Sequence, residues 1–309
     1  MKLPSRRLGG LATSVALAIG LLTPGTAHAA AWHPVPLPFL WWQNRILDIA
    51  ASAPDNVWIG GLQGFIPALP LPASYGNPVV RRWNGSSWKE YPLNGWSGQG
   101  SIYQVAARPG EVWVTGDKYF ARFDGTAFQK VTPPPNIRDI EAGASGVYAM
   151  SYTDNTLYKW NGSGWDASPL VPNAKWTGDR YETVDPPAAE PVIVAANGSS
   201  GLYAVTDLDL YDDIAPRLWH KTGGDWSQVT LPAGLTIRTI TQDGTGRIWA
   251  AAEPSNQYTL HTFDGTTWTK QFGPSRDGIE QLVAVPGTGT VWGRGFGAPW
   301  GDAQITTNA

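Results

Sequence analysis

The chain has 309 residues with a formal net charge of −3, 17 Trp and no Cys. A mildly acidic chain without a basic run argues against nucleic acid as the partner. Without thiols there are no disulfides, no cysteine nucleophile and no thiolate metal site, so the fold must stand on packing alone.

The N-terminus has the form of a secretory leader. Lys2, Arg6 and Arg7 precede an apolar run from Leu8 to Leu22, and Ala27-His28-Ala29 offers a small-residue cleavage site. The expected division is a leader over residues 1–29 and one domain over 30–309, in a secreted, extracellular protein. Loss of the leader's three cations would take the net charge to −6.

From residue 46 onward a unit of 35 to 56 residues recurs. Each unit opens on a short apolar strand: Ile46-Leu47-Asp48-Ile49, Ile102-Tyr103-Gln104-Val105, Ile137-Arg138-Asp139-Ile140, Val192-Ile193-Val194, Ile237-Arg238-Thr239-Ile240 and Ile279-Glu280-Gln281-Leu282. A tight turn leads to a second strand carrying Trp58, Trp113, Tyr148, Tyr203, Trp249 or Trp292. A third and a fourth strand flank Asn84-Gly85, Asp124-Gly125, Asn161-Gly162 and Asp264-Gly265, dipeptides that accept the positive φ of a hairpin turn. No segment has a helical period. Units of four antiparallel strands, repeated, are the blades of an all-β propeller.

The two ends of the pattern complement each other. The sixth unit has first, second and third strands, the last over Gln304-Ile305-Thr306-Thr307, and its fourth is supplied by Ala31-Trp32-His33-Pro34-Val35-Pro36-Leu37-Pro38. The expected fold is a six-bladed β-propeller of four-stranded antiparallel blades, closed by the N-terminal strand completing the last blade. Closure protects the end strands from edge pairing.

Trp32-His33-Pro34-Val35-Pro36 and Val291-Trp292-Gly293 resemble the tectonin-type β-propeller repeat, W-x-x-V-P-G followed by V-W-G-V, although no unit has the Gly after the Pro. The likeness extends over the domain at the level of pattern. It implies a lectin-like protein binding glycans, lipopolysaccharide or other surface ligands.

Connections between first and second, and third and fourth, strands are short. The remaining connections, all on the opposite face of the disc, hold the insertions: residues 39–44, 62–77, 94–100, 171–190, 207–215, 254–257 and 296–301. Loops on a rigid scaffold carry function, so this face is the expected binding surface. Its aromatic side chains are Trp41, Trp42, Tyr75, Trp96, Trp176, Tyr181, Tyr211 and Trp300, rings that stack on sugars or anchor the loops themselves.

Asp207, Asp209, Asp212 and Asp213 form an acidic group in one insertion. Oxygen ligands of this kind suit calcium, and a solvated acidic loop is the competing reading. Asp48, Gln104, Asp139, Thr239 and Gln281 share the third position of their strands, nearest the axis, where polar groups could line a channel, hold calcium or satisfy backbone groups. Nucleophile elbows, His-x-x-x-His pairs and phosphate-cradling loops are absent from the sequence.

The expectation is a non-catalytic propeller that binds an extracellular or cell-surface glycan or polysaccharide, acting alone or as the adhesive subunit of a secreted assembly. A hydrolase or lyase working in the channel mouth is one alternative. A scaffold for a secreted protein partner, docked through the Pro-rich insertion at Ile66-Pro67-Ala68-Leu69-Pro70-Leu71-Pro72, is another.

Overall fold

A computed structural model describes residues 32–37, 39–41, 43–66, 74–117, 119–143, 145–151, 156–169, 174–176, 181–183, 193–195, 202–206, 217–222, 225–252, 259–271, 279–295 and 304–309. All belong to one compact unit, Trp32–Ala309. The expected leader lies outside the described residues. Among the described residues there is no helix, and so none long and apolar enough to cross a membrane.

A first short strand, β1 (His33–Pro34), precedes the ring. Blade one is β2 (Arg45–Ala53), β3 (Asn56–Ile66), β4 (Ser74–Trp83) and β5 (Trp88–Glu90). Blade two is β6 (Ile102–Arg108), β7 (Glu111–Gly116), β8 (Tyr119–Phe123) and β9 (Phe128–Lys130). Blade three is β10 (Ile137–Gly143), β11 (Gly146–Ser151), β12 (Thr156–Trp160) and β13 (Trp165–Pro169). A separate hairpin follows, β14 (Ala174–Trp176) with β15 (Tyr181–Thr183). Blade four is β16 (Ile193–Ala195), β17 (Leu202–Thr206), β18 (Arg217–Thr222) and β19 (Asp225–Val229). Blade five is β20 (Ile237–Gln242), β21 (Ile248–Ala252), β22 (Thr259–Phe263) and β23 (Trp268–Gln271). Blade six is β24 (Ile279–Ala284), β25 (Val291–Gly295) and β26 (Gln304–Thr307), and its fourth strand is β1.

Ring closure takes the form the sequence pattern predicts. His33 pairs with Thr307, Pro34 with Thr306, and the Val35 N–H donates to the Ile305 carbonyl at 2.8 Å. Proline at 34 costs the ladder little, because β1 is an outermost strand and one side of it is unpaired.

The recurring ring of each second strand packs between neighbouring blades. Trp58 lies in the core shared by blades one and two, and Trp113 in that of two and three. Tyr148, Tyr203 and Trp249 occupy the next three junctions, and Trp292 the junction of six with one. Trp58 and Trp113 are fully buried, and burying a side chain of that size contributes roughly 3 kcal/mol. Six junctions of one kind, the last joining the two ends of the chain, are what hold a cysteine-free ring together.

The outer hairpins follow one design. Trp83 pairs with Trp88, Phe123 with Phe128, Trp160 with Trp165 and Phe263 with Trp268. Their ring centroids are 5.5, 5.2, 5.2 and 4.9 Å apart. Between the rings, the Oδ1 of Asn84, Asp124, Asn161 or Asp264 accepts the backbone N–H groups two and three residues on. The turns thus span four residues rather than two, and the glycine after each Asx has φ between 93° and 104°. The backbone bonds hold the Asp124 and Asp264 carboxyls below the usual carboxylate range.

Candidate ligand-binding face

Five of the six first strands share an irregularity at the loop-rich end of the ring. The register with the second strand skips between Ile46 and Asp48, Ile102 and Gln104, Ile137 and Asp139, Ile237 and Thr239, and Ile279 and Gln281. Leu47, Tyr103, Arg138, Arg238 and Glu280 are the extra residues of these β-bulges, at which the register skips. A bulge bends its strand and re-aims a side chain. Leu47, Tyr103 and Glu280 line a cavity of about 220 Å³ at the axis.

The polar side chain after each bulge ties blades together. Asp48 accepts from the Val105 N–H of blade two. Gln104 donates to Asp139 of blade three. The Thr239 hydroxyl accepts the Leu282 N–H at 3.3 Å. Gln281 donates to Asp48 and accepts the Ile49 N–H at 3.2 Å. Arg294 donates to Gln281 at 3.3 Å and pairs with Glu280. Asp48, Thr239 and Gln281 thus satisfy backbone groups of the neighbouring blade, one of the readings open from sequence, while Gln104 and Asp139 bond each other.

Glu141 lines the same axial cavity. Burial pushes the Asp48 carboxyl up to about 6, against the hydrogen bonds from Val105 and Gln281 and the nearby Arg294 charge. Burial, and then the charge of Asp48, push Asp139 up to about 7. Glu141 is raised well above the ordinary range by burial and by the two aspartates.

Two clefts open beside the axis. The first, of about 540 Å³, is lined by Arg45, Phe65, Tyr75, Gln99, Tyr103 and Asp117, among others. Its outer wall is the distal end of the β3–β4 hairpin, where Phe65 pairs with Tyr75 and Ile66 with Ser74. The insertion at 62–77, expected as a loop, is in its described part an arm of sheet. The connection after blade one is bonded to this arm. The Gly100 N–H donates to the Gly76 carbonyl at 3.0 Å, and the Tyr75 N–H to Gln99 Oε1 at 3.0 Å.

Tyr103 stands between the first cleft and a second of about 760 Å³, which Phe120, Lys130, Pro133, Pro134 and Asn136 help to line. Its hydroxyl donates to Asp117 Oδ1 at 2.5 Å, while Asp117 Oδ2 accepts the Ser101 N–H at 3.0 Å. That bond, with burial, holds the phenol above its ordinary pKa. The ring remains 49% exposed.

The ring residues named from sequence separate by placement. Tyr75 is 73% exposed on the rim of the first cleft. Trp41 is 65% exposed, its ring 6.1 Å from that of Phe39, which is exposed too. The Trp41 N–H faces Gln63 Oε1 at 3.4 Å, at the root of the arm. Trp96 is partly buried. Its ring packs on Tyr119 at 5.1 Å and its indole N–H donates to the Gly98 carbonyl at 2.9 Å, so it supports the loop that carries Gln99. Trp176 lies in β14 and Tyr181 in β15, paired in register. Trp42, Tyr211 and Trp300 lie outside the described residues, as do Asp207, Asp209, Asp212 and Asp213. Among the described residues no group of three or more His, Asp or Glu is gathered to hold a metal.

Sequence reasoning missed Arg45, Gln99, Tyr103 and Asp117. Tyr103 had a signal: in the Ile-x-polar element the residue between the isoleucine and the polar group is an aromatic only there.

No protein-family model and no curated protein matches the sequence. Among solved structures the chain is similar to a streptogramin B lyase, with a TM-score of 0.51 and 14% identity over 89% of this chain and 96% of that one. It is likewise similar to YCF48 from Cyanidioschyzon merolae, with a TM-score of 0.50 and 16% identity over 90% and 98%. Identities this low show a shared fold alone, and with the strand order they make this chain a six-bladed β-propeller.

Proposed function

We propose that the protein is a secreted, non-catalytic binding propeller that recognises an extracellular or cell-surface glycan through its loop-rich face. The observation that carries this reading is the first cleft. Two exposed tyrosines flank fixed planar polar groups, the combination that grips a sugar ring by stacking and hydrogen bonding. The arm and the Gln99 loop are bonded to each other, which favours a pre-formed site. The tectonin-like repeat and the secretory form of the N-terminus agree with it. Asp48 and Asp139 are engaged in bonds between blades, which favours recognition over catalysis.

A glycan array probed with the full chain tests the proposal, alongside Tyr75→Ala, Tyr103→Ala and Trp41→Ala. The expected result is one sugar class, with Tyr75→Ala and Tyr103→Ala each weakening it about tenfold or more at an unchanged fold. A blank array from a folded protein that instead captures a protein partner would replace the glycan with that partner.

A further inference from the structure

We propose that the cleft between blades one and two takes a sugar unit bearing a carboxylate, with Arg45 as its anion anchor; this rests on the glycan reading. Most of the other described cations of blades one to three are engaged, Lys130 in the second cleft excepted. Arg81 pairs with Glu90, and Arg108 and Arg122 with Glu111. Arg82 lies over Trp58, Lys89 over Tyr91 and Lys159 over Tyr148. Arg45 is exposed, lines the cleft, and has neither an ion-pair partner nor a ring among the described residues.

The carboxylate that shares the cleft forms no ion pair with it. Both Asp117 oxygens are engaged, one by the Tyr103 hydroxyl and one by the Ser101 N–H, and no ion pair joins Asp117 to Arg45. A guanidinium presents two parallel N–H donors that match a carboxylate in a bidentate pair, stronger than a neutral hydrogen bond. The rest of the lining suits a sugar more than an acidic peptide. Tyr75 and Tyr103 supply exposed rings, and Gln99, whose oxygen holds the Tyr75 N–H, keeps its amide hydrogens for a hydroxyl.

Calorimetric titration of the full chain tests the assignment. The probes are oligogalacturonate, hyaluronate oligosaccharide and sialyllactose, each beside its methyl ester. At least one acid is expected to bind about tenfold or more tighter than its ester. Arg45→Gln should abolish that gap, and Arg45→Lys should keep part of it, both at an unchanged melting temperature. Salt should weaken the acid and leave the ester alone. Equal binding of acid and ester, a gap that survives Arg45→Gln, or binding of neutral glycans only would overturn the inference and leave the glycan reading standing. No saccharide bound, with Glu-rich peptide captured through Arg45, would overturn both.

Discussion

Gln281 of the last blade donates a hydrogen bond to the Asp48 carboxylate of the first, joining inner strands that lie 233 residues apart. The other Asp48 oxygen accepts from Val105 of blade two, so one buried side chain links three blades. Asp48→Ala should leave the Val105 N–H and the Gln281 amide without their acceptor and destabilise the ring by about 2–3 kcal/mol. Urea denaturation would measure it. A loss below a few tenths of a kcal/mol would show that water replaces the carboxylate.

The axial acids set a pH dependence whose sign can be worked out. Asp48 and Asp139 have folded pKa values of about 6 and 7, above the ordinary 3.8. Between those limits the folded ring keeps protons that the unfolded chain releases. Stability therefore falls as pH rises from about 4 through about 7, and Glu141, raised well above the ordinary range, acts in the same sense. Asp139→Asn keeps an oxygen for the Gln104 amide and the Ile140 N–H while removing the charge. It should flatten much of this slope and raise stability near pH 8 by about 2 kcal/mol. Denaturation midpoints across that range decide; a wild-type midpoint that rises with pH would contradict the argument.

Closure by β1 predicts a specific failure. Trp32 packs on Trp249 with ring centroids 6.3 Å apart, and Val35 is buried in the core of blades six and one. A chain that starts at residue 39 should melt lower and self-associate through the bare edge of β26. Size-exclusion chromatography and a melting curve would show it. Trp32→Ala alone should cost about 2–3 kcal/mol.

Gly116 faces Ile102 across the bulged pair. A Cβ there would stand 2.4 Å from the Ser101 carbonyl oxygen and 2.9 Å from the Trp96 ring. Gly116→Ala should cost about 1–3 kcal/mol and loosen the wall that carries Gln99. A melting temperature equal to wild type would show that the Ser101 carbonyl yields.

The ring was legible because its signals are local and repeated. Asx-Gly turns, an aromatic on each second strand and a displaced fourth strand each follow from period and turn chemistry. The bulges were not, since the Ile-x-polar triplet reads as plain alternation until the partner strand shows the skip. The arm was hidden for a related reason: Gly64 and Gly76, both at positive φ, read as loop residues although the pairing runs past them. The cleft is harder still. Arg45 opens β2, Gln99 precedes β6 and Asp117 follows β7, and no spacing in the chain announces that they share one wall.

The bulge position separates two demands that usually conflict. The isoleucine before it is the same in five blades, and the side chain after it is bound to a neighbouring blade. The residue between them falls where the register with the second strand skips, and across the ring it is Leu47, Tyr103, Arg138, Arg238 or Glu280. The side chain there can therefore differ from blade to blade while the isoleucine and the polar group keep the frame. Leu47, Tyr103 and Glu280 thus bring three different chemistries to one axial cavity inside an otherwise repetitive protein.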